Sequence, residues 1–219
     1  MNKKIPYGRR ELDDNDIQAV VDILRKGNIT QGQTVDDFGQ ALADYAGAKY
    51  GVAVSSGTAA LHVSVATLGI RPGDEVITTA FSWISSSETV TQAGARVVFV
   101  NIDPDYYTID ASKIEEKITE KTKAIIPVHL AGKCASMDSI LDIAQQFQIP
   151  VIEDAAQSVG ALYHDKPAGS IGSMGCFSLH PLKNISGIGD GGILVTNNES
   201  LAIKVKQLRN HGLVNRDKV

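Results

Sequence analysis

Lys183 is the residue whose surroundings most strongly suggest chemistry. It lies in the segment FSLHPLKN, residues 177–184, and is followed by the glycine-rich residues 187–192. A lysine shielded by apolar neighbours and a stiff Pro181 loses its proton readily, and its free amine can form a Schiff base with a carbonyl group. A solvated surface lysine is the alternative, since most lysines are exposed. The apolar approach and the crowding glycines favour a shaped site.

Asp154 ends an apolar run of strand length, residues 149–154. A buried carboxylate is costly unless it meets a cation or hydrogen-bond donors. A protonated pyridine nitrogen would be such a partner, and holding that proton keeps the ring an electron sink. Glu153 alternates to the other face of a regular strand and is the poorer candidate. For Asp154 alone, a helix cap or structural ion pair is the more ordinary interpretation, but Lys183 and Asp154 together suggest pyridoxal phosphate.

Three further segments carry groups that such a cofactor would need. Gly57 and Thr58 lie where a helix should begin, and free amides at a helix start favour a phosphate, although Ser and Thr also serve there as plain caps. Trp83 follows a strand and could stack on a planar ring or belong to the core. Gln157 could donate a hydrogen bond to a ring oxygen or be a solvated turn residue.

The elements that position these residues alternate between strand and helix. Helices are predicted at residues 13–26 (closed by Gly27), 35–45, 56–68, 82–92, 113–118, 138–147 and 201–210, and strands at 51–54, 75–79, 95–100, 124–128 and 151–154. Residues 158–196 favour short strands and turns. The pattern predicts an α/β fold, a three-layer and mostly parallel sheet with helices on both faces, with the candidate motifs at the carboxyl ends of the strands.

Composition excludes several classes of function. The chain has 219 residues, enough for one large domain, and its net charge of −4 provides no polycationic surface for nucleic acid. No apolar run approaches the length that crosses a bilayer, so no membrane association is expected. Pro6, Gly8 and the arginines after it occupy the place of a signal peptide's apolar core. Two cysteines are too few for a disulfide framework, which predicts a reducing, cytoplasmic location.

The five histidines show no metal-ligand spacing with the cysteines, so no metal site is expected. His129 follows a predicted strand and could line the pocket, and His180 lies near Lys183. For both, a structural histidine with satisfied ring nitrogens is the favoured interpretation.

Taken together, these motifs resemble the DegT/DnrJ/EryC1/StrS family of sugar aminotransferases, pyridoxal phosphate enzymes with the aspartate aminotransferase fold (type I). The resemblance covers nearly the whole chain and rests on an ordered set of segments: SSGTAAL, TTAFSW, VNIDPDYYTID, PVHLAGK, EDAAQSVGA, FSLHPLKN and GDGG. It implies Lys183 as the Schiff-base lysine, Asp154 at the pyridine nitrogen, Gln157 at the ring oxygen and Trp83 over the ring. The phosphate contacts that it implies are Gly57, Thr58, Ala59 and Ser178.

The resemblance also implies a reaction. An amino donor, commonly glutamate, passes its amino group through the cofactor to a keto group on a nucleotide-linked sugar, as in the making of deoxyamino sugars for polysaccharides or antibiotics. Relatives that remove a hydroxyl instead carry histidine at the position of Lys183, so lysine favours transamination. Members act as homodimers with active sites at the subunit interface. The resemblance further implies that residues 1–219 correspond to the large domain with an N-terminal helical segment, without the family's small C-terminal domain.

Two alternatives remain open at the level of sequence. The chain could be a cofactor-binding member that is non-catalytic or regulatory, or an inactive fragment of the enzyme. It could also be a phosphate-binding doubly wound domain without pyridoxal phosphate, which would make the pairing of Asp154 with Lys183 a coincidence.

Overall fold

The computed structural model describes residues 12–26 and 29–213. In chain order its elements are α1 (Asp14–Lys26), α2 (Gln33–Tyr45), β1 (Tyr50–Val54), α3 (Gly57–Thr67), β2 (Glu75–Thr79), α4 (Ser85–Gln92), β3 (Arg96–Val100), β4 (Thr122–Ile126), α5 (Met137–Phe147), β5 (Ile152–Asp154), β6 (Leu162–Tyr163), β7 (Lys166–Pro167), β8 (Met174–Ser178), β9 (Gly192–Thr196) and α6 (Glu199–Arg209). Gly27, predicted to close α1, and the N-terminal residues weighed as a signal peptide lie outside the described residues.

Seven strands form one sheet in the order β1-β9-β8-β5-β4-β2-β3. Ladders join β1, β9, β8 and β5 on one side and β4, β2 and β3 on the other. Parallel bridges from Ile125 to Val151 and from Val128 to Asp154 connect the two halves. Neighbouring strands are parallel throughout except around β9, which is antiparallel to both β1 and β8. The prediction of an α/β fold with a mostly parallel sheet is confirmed.

Helices cover both faces of this sheet, which makes three layers. On one face α3, α4 and α6 pack through Leu61, Val90 and Val205 against the strands. On the other face α5 contributes Ile140 to a second apolar cluster, and α2 contributes Ala43 to a third. Strands β2, β8 and β9 are buried at every position, as expected for strands covered on both faces.

Two predicted helices differ from the structure. Helix α4 begins at Ser85 rather than Ser82, because its first α-type hydrogen bond runs from Glu88 N to Ile84 O. Residues 82–84 therefore belong to the loop after β2. The helix predicted at residues 113–118 is two 3₁₀ turns, Ala111–Lys113 and Glu115–Lys117, since the segment has too few residues to propagate an α-helix.

Strand β9 lies in the segment 158–196 that was predicted to form short strands and turns, but its antiparallel direction and its place inside the main sheet were not predicted. It follows β8 through the loop of residues 179–191 and returns beside it, so the carboxyl end of β8 and the start of β9 lie at the same edge as the ends of the parallel strands. Ser178 pairs with Gly192 at that edge. This topology brings the loop that carries Lys183 to the place where the loops after β1, β2 and β5 already meet.

Candidate active site

One cavity lies at the carboxyl edge of the sheet, with a volume of about 790 Å³. Its walls come from the loops after β1, β2, β4, β5 and β8. The predicted site residues that line it are Gly57, Thr58, Trp83, Asp154, Gln157, Ser178 and Lys183. Ala59 is the one predicted residue that does not line it. Residues distant in the sequence are thus brought together by the strand order, as the rule for open α/β sheets anticipates.

Asp154 presents a buried carboxylate to this cavity. The residue is 5% exposed, and its Oδ2 accepts a hydrogen bond of 2.6 Å from Ser86 Oγ while Oδ1 accepts one of 3.2 Å from Ala156 N. Burial raises the pKa of the Asp154 carboxyl, and these hydrogen bonds and the charge of Lys183 act in the opposite direction. The carboxylate is therefore suited to a cationic partner in the cavity.

Glu153 points to the other face of β5, as the alternation of a strand requires. Its carboxylate is fully buried and accepts hydrogen bonds from His129 Nε2 and from three backbone amides of residues 169–172. His129 is also fully buried, and its Nδ1 accepts from Ala135 N at 3.2 Å. Both residues are saturated with structural hydrogen bonds. The two adjacent acids therefore have separate environments: Glu153 faces the protein interior and Asp154 faces the cavity.

The start of α3 offers unpaired backbone donors. Ser56 caps the helix by accepting a hydrogen bond from Ala59 N at 3.0 Å, so the amide of Ala59 is already used. The amides of Gly57 and Thr58 have no hydrogen-bond partner within residues 12–26 and 29–213. Unpaired amides and the helix dipole at a helix start favour an anion, and Ser178 lies next to these amides.

Gly57 is required there by packing as well. A Cβ on Gly57 would lie 2.7 Å from Cβ of Ser178, so the absence of a side chain lets the start of α3 approach the end of β8. Thr58 Oγ1 is 2.7 Å from Ser85 Oγ, a contact that ties the helix start to α4. The predicted phosphate contacts Gly57, Thr58 and Ser178 therefore share one corner of the cavity.

Lys183 is held on a tight turn after β8. Its backbone N–H donates to His180 O at 2.8 Å, and Leu182 N donates to His180 Nδ1 at 3.2 Å. Gly187 N and Leu179 O close the loop behind it at 2.8 Å. The turn places the partly buried Lys183 on the cavity wall, where its charge reaches Asp154. With Nδ1 engaged as an acceptor, the ring of His180 acts as a brace for this turn.

Trp83 and Gln157 both belong to the cavity wall. The indole of Trp83 is 72% exposed and is therefore available to cover a planar ligand rather than being part of the core. Gln157 Oε1 accepts a hydrogen bond of 2.7 Å from Ala131 N, a residue with a positive φ of 51°. Since that bond occupies the amide oxygen, the NH₂ group of Gln157 is left to donate elsewhere.

Sequence reasoning missed two hydroxyl groups at this site. Ser82 lines the cavity and Ser86 contacts Asp154, with 2.7 Å between their Oγ atoms. In the helix predicted at residues 82–92 the two serines would share one face, but this spacing gives no indication of a contact with Asp154. Elsewhere in the described ranges there is no group of three or more metal-ligating side chains, and no helix there has the length and apolarity to span a membrane.

Comparison with known proteins adds to this geometry. The family model described as the DegT/DnrJ/EryC1/StrS aminotransferase family matches residues 10–219. The UDP-4-amino-4-deoxy-L-arabinose–oxoglutarate aminotransferase of Shewanella sediminis is 42% identical over 212 residues, which are 97% of this chain and 54% of the relative. The "pleiotropic regulatory protein" of Geobacillus stearothermophilus is 42% identical over 90% of this chain and 53% of its own length.

Solved structures agree with this match. The PLP-form of the putative sugar aminotransferase Spr1654 from Streptococcus pneumoniae superimposes with a TM-score of 0.89 at 30% identity, covering 94% of this chain and 58% of that one. The fold is therefore that of pyridoxal phosphate-dependent aminotransferases, as predicted. The chain spans about half the length of the curated relatives it matches.

Proposed function

The chain belongs to the DegT/DnrJ/EryC1/StrS aminotransferase family, and on that premise we propose that it binds pyridoxal phosphate and transfers an amino group to a keto group of a nucleotide-linked sugar. The observation that carries this proposal is the buried Asp154 carboxylate facing the same cavity as Lys183, with free amides of α3 at its far corner. We also propose that residues 1–219 are the large domain of a longer architecture, since the matched relatives extend well beyond this length.

The residues present fit each polar group of pyridoxal phosphate. Its ring nitrogen needs a carboxylate, and Asp154 supplies a buried one. Burial raises the pKa of this carboxyl, and a cation beside it would lower that pKa by favouring the ionised form. Its phosphate needs donors, and the amides of Gly57 and Thr58 are unused in the described part of the chain. Its aldehyde needs an amine, which Lys183 supplies from the cavity wall. When bound, the cofactor supplies an electron sink for the carbanion formed during amino transfer.

The protein groups then have distinct tasks. Asp154 holds the proton on the ring nitrogen by its charge, and Ser178 adds a hydroxyl donor beside the phosphate corner. Gln157, fixed through its oxygen by Ala131 N, directs its NH₂ group to the ring oxygen. Trp83 covers one face of the ring and excludes water from it.

Lys183 has two roles. Its Nζ would hold the cofactor covalently at the aldehyde carbon, and as a free amine it would act as the base that takes the proton from the amino-bearing carbon of the donor and passes it to the cofactor. For this second role the amine must be uncharged at the moment of proton removal. The turn braced by His180 keeps the amine at one place in the cavity, so the same atom serves both halves of the reaction.

The substrate class follows from the relatives. The Shewanella sediminis enzyme is named for a UDP-linked amino sugar and oxoglutarate, the keto acid of glutamate. We therefore assign glutamate as amino donor and a nucleotide-linked keto-sugar as acceptor, in deoxyamino sugar biosynthesis. Because the Geobacillus stearothermophilus relative is named as a regulatory protein, a non-catalytic role is one outcome of the test below. The complete set of Lys183, Asp154 and Gln157 favours catalysis.

A homodimer is the assembly we propose. Large apolar side chains lie exposed on the two loops, after β2 and after β8, that contribute Trp83 and Leu182 to the cavity wall: Phe81 52%, Trp83 72%, Ile84 62%, Leu182 56% and Ile188 54%. Such a patch next to an open site is suited to a second subunit that closes it. Light scattering on the purified chain should give twice the monomer mass. We propose a cytoplasmic location, since both cysteines are free and buried.

Spectroscopy of the donor half-reaction tests the activity. The chain loaded with pyridoxal phosphate should lose its visible absorbance on addition of glutamate and release an equal amount of oxoglutarate. A nucleotide-linked keto-sugar should then restore the absorbance. The Lys183→Ala variant is the control and should show neither change. If the cofactor binds at Lys183 but no amino donor alters its absorbance, the chain is a binding protein and the proposed activity is wrong.

A further inference from the structure

We propose that Ser86, supported by Ser82, is a positioning residue that keeps the Asp154 carboxylate ionised and directed into the cavity. This inference rests on the proposed function, because the group that Asp154 would meet is the ring nitrogen of pyridoxal phosphate. Ser86 does not line the cavity and would not touch the cofactor. It acts through Asp154.

The direction of each hydrogen bond is fixed by chemistry. Ser86 Oγ is 2.6 Å from Asp154 Oδ2, and an ionised carboxylate can only accept, so the single hydroxyl hydrogen of Ser86 is donated to Asp154. Ser86 Oγ also lies 3.3 Å from Trp83 O, a longer and weaker alternative. Ser82 Oγ, 2.7 Å from Ser86 Oγ, must then be the donor to Ser86. The chain of donation runs from Ser82 through Ser86 to Asp154.

Burial makes this chain of hydroxyls consequential. Ser86 is 1% exposed and Asp154 is 5% exposed, so little water is available to stabilise the carboxylate. After burial, which raises the pKa of Asp154, the bond from Ser86 is the largest influence, and it lowers that pKa. The other charged group that acts on Asp154 is Lys183. The neighbouring imidazole is that of His129, and the neighbouring thiol on β8 is that of Cys176.

The hydroxyl of Ser82 strengthens the hydrogen bond that Ser86 donates to Asp154. A donor that itself accepts a hydrogen bond is polarised and becomes a better donor, especially where the local dielectric is low. Ser82 lies on the cavity wall beside Trp83, and a ligand covered by Trp83 would shield Ser82 from water. The loop after β2 would therefore cover the ring through Trp83 and support the Asp154 carboxylate through Ser82.

Two ligands distinguish this role from a structural one. Pyridoxal phosphate and its deaza analogue, in which carbon replaces the ring nitrogen, share the aldehyde, hydroxyl and phosphate groups. Ser86→Ala should weaken binding of pyridoxal phosphate on the order of tenfold or more, as expected for a hydrogen bond to a charged group. It should leave binding of the deaza analogue within about twofold, because that ligand does not need Asp154 to be ionised. Dissociation constants are read from the absorbance of the bound ligand.

Further variants complete the test. Ser64→Ala is the matched control. Ser64 is fully buried, its Oγ donates to the carbonyl oxygen of Ala60 and lies 3.2 Å from Cys176 Sγ, and it makes no hydrogen bond to Asp154, so this variant should change neither constant. Ser82→Ala, at a less buried position, should give a smaller loss in the same direction and tests the inference even if Ser86→Ala does not fold. The pH below which pyridoxal phosphate affinity declines should rise in Ser86→Ala.

Equal losses for both ligands in Ser86→Ala and Ser82→Ala would mean that the serines only maintain the fold, and no loss for either ligand would also overturn the inference. If the unmodified chain does not attach pyridoxal phosphate at Lys183, the proposed function fails instead. The two failures are therefore separable.

Discussion

Replacing Glu153 with glutamine should strongly destabilise the fold without any direct effect on the cavity. The carboxylate of Glu153 is fully buried and accepts four hydrogen bonds. Ile171 N and Gly172 N donate to Oε1 at 2.8 and 2.6 Å, and Gly169 N and His129 Nε2 lie 2.8 Å from Oε2. This one side chain therefore fixes the turn at residues 169–172 against β5 and the loop after β4.

The size of the effect follows from donor counting. Glutamine has one acceptor oxygen and one NH₂ group, so in either orientation the NH₂ group faces two N–H donors. His129 cannot relieve this conflict by changing tautomer, because its Nδ1 already accepts from Ala135 N. Losing two hydrogen bonds to a charged acceptor, at about 1.5–3 kcal/mol each, gives about 3–6 kcal/mol. That is a large part of the roughly 5–15 kcal/mol by which domains are stable.

Urea unfolding followed by circular dichroism measures this loss against two controls. Glu120→Gln, at an exposed position, should stay within about 0.5 kcal/mol of the unmodified chain. Asp154→Asn, one residue along β5, should keep its stability to within about 1 kcal/mol, since it removes a buried charge and leaves the neighbouring donors an acceptor. It should nevertheless lose cofactor affinity. The reasoning is refuted if Glu153→Gln is as stable as Glu120→Gln, or if Asp154→Asn is the more damaging of the two to stability.

Three further results are expected. Trp83→Ala should weaken pyridoxal phosphate binding about two- to tenfold with unchanged stability, because the 72% exposed ring contributes only ligand contact. An unchanged dissociation constant in an absorbance titration would exclude stacking. Gly57→Ala should lower the free energy of unfolding by about 1–3 kcal/mol, measured by thermal unfolding, because its Cβ would lie 2.7 Å from that of Ser178. It should also weaken the binding of pyridoxal phosphate more than that of pyridoxal. Burial raises the pKa of Asp154 above 3.8, so the Asp154 carboxyl holds its proton more tightly in the folded cofactor-free chain than in the unfolded chain. Its unfolding free energy should thus fall as pH rises from about 3.8 through the folded pKa, a decline that Asp154→Asn should remove.

The periodicity of the sequence was sufficient for the main architecture. Apolar runs of strand length alternating with amphipathic helices predicted the layers and the mostly parallel sheet, because both patterns are local. The antiparallel insertion of β9 could not be predicted in this way. Strand order depends on pairing between distant segments, and the fully buried β9 has the same apolar pattern whichever direction it runs.

For the site, local chemistry predicted the groups that face the cavity but not those behind them. Lys183 and Asp154 could be chosen because each has an unusual local setting. Ser86 has none, since serines at a helix start are common and its role depends on the position of Asp154, 68 residues away. The separate environments of Glu153 and Asp154 were predictable, because alternation along a strand is local, whereas the four donors to Glu153 come from two distant loops.

The central claim is that Lys183 is the amine that holds pyridoxal phosphate opposite Asp154. Treating the chain with pyridoxal phosphate, reducing it with borohydride and mapping the peptides by mass spectrometry tests this directly. One phosphopyridoxyl group per chain is expected, on Lys183, with much less labelling in Asp154→Asn. Labelling of a different lysine, or equal labelling of many lysines, would contradict it.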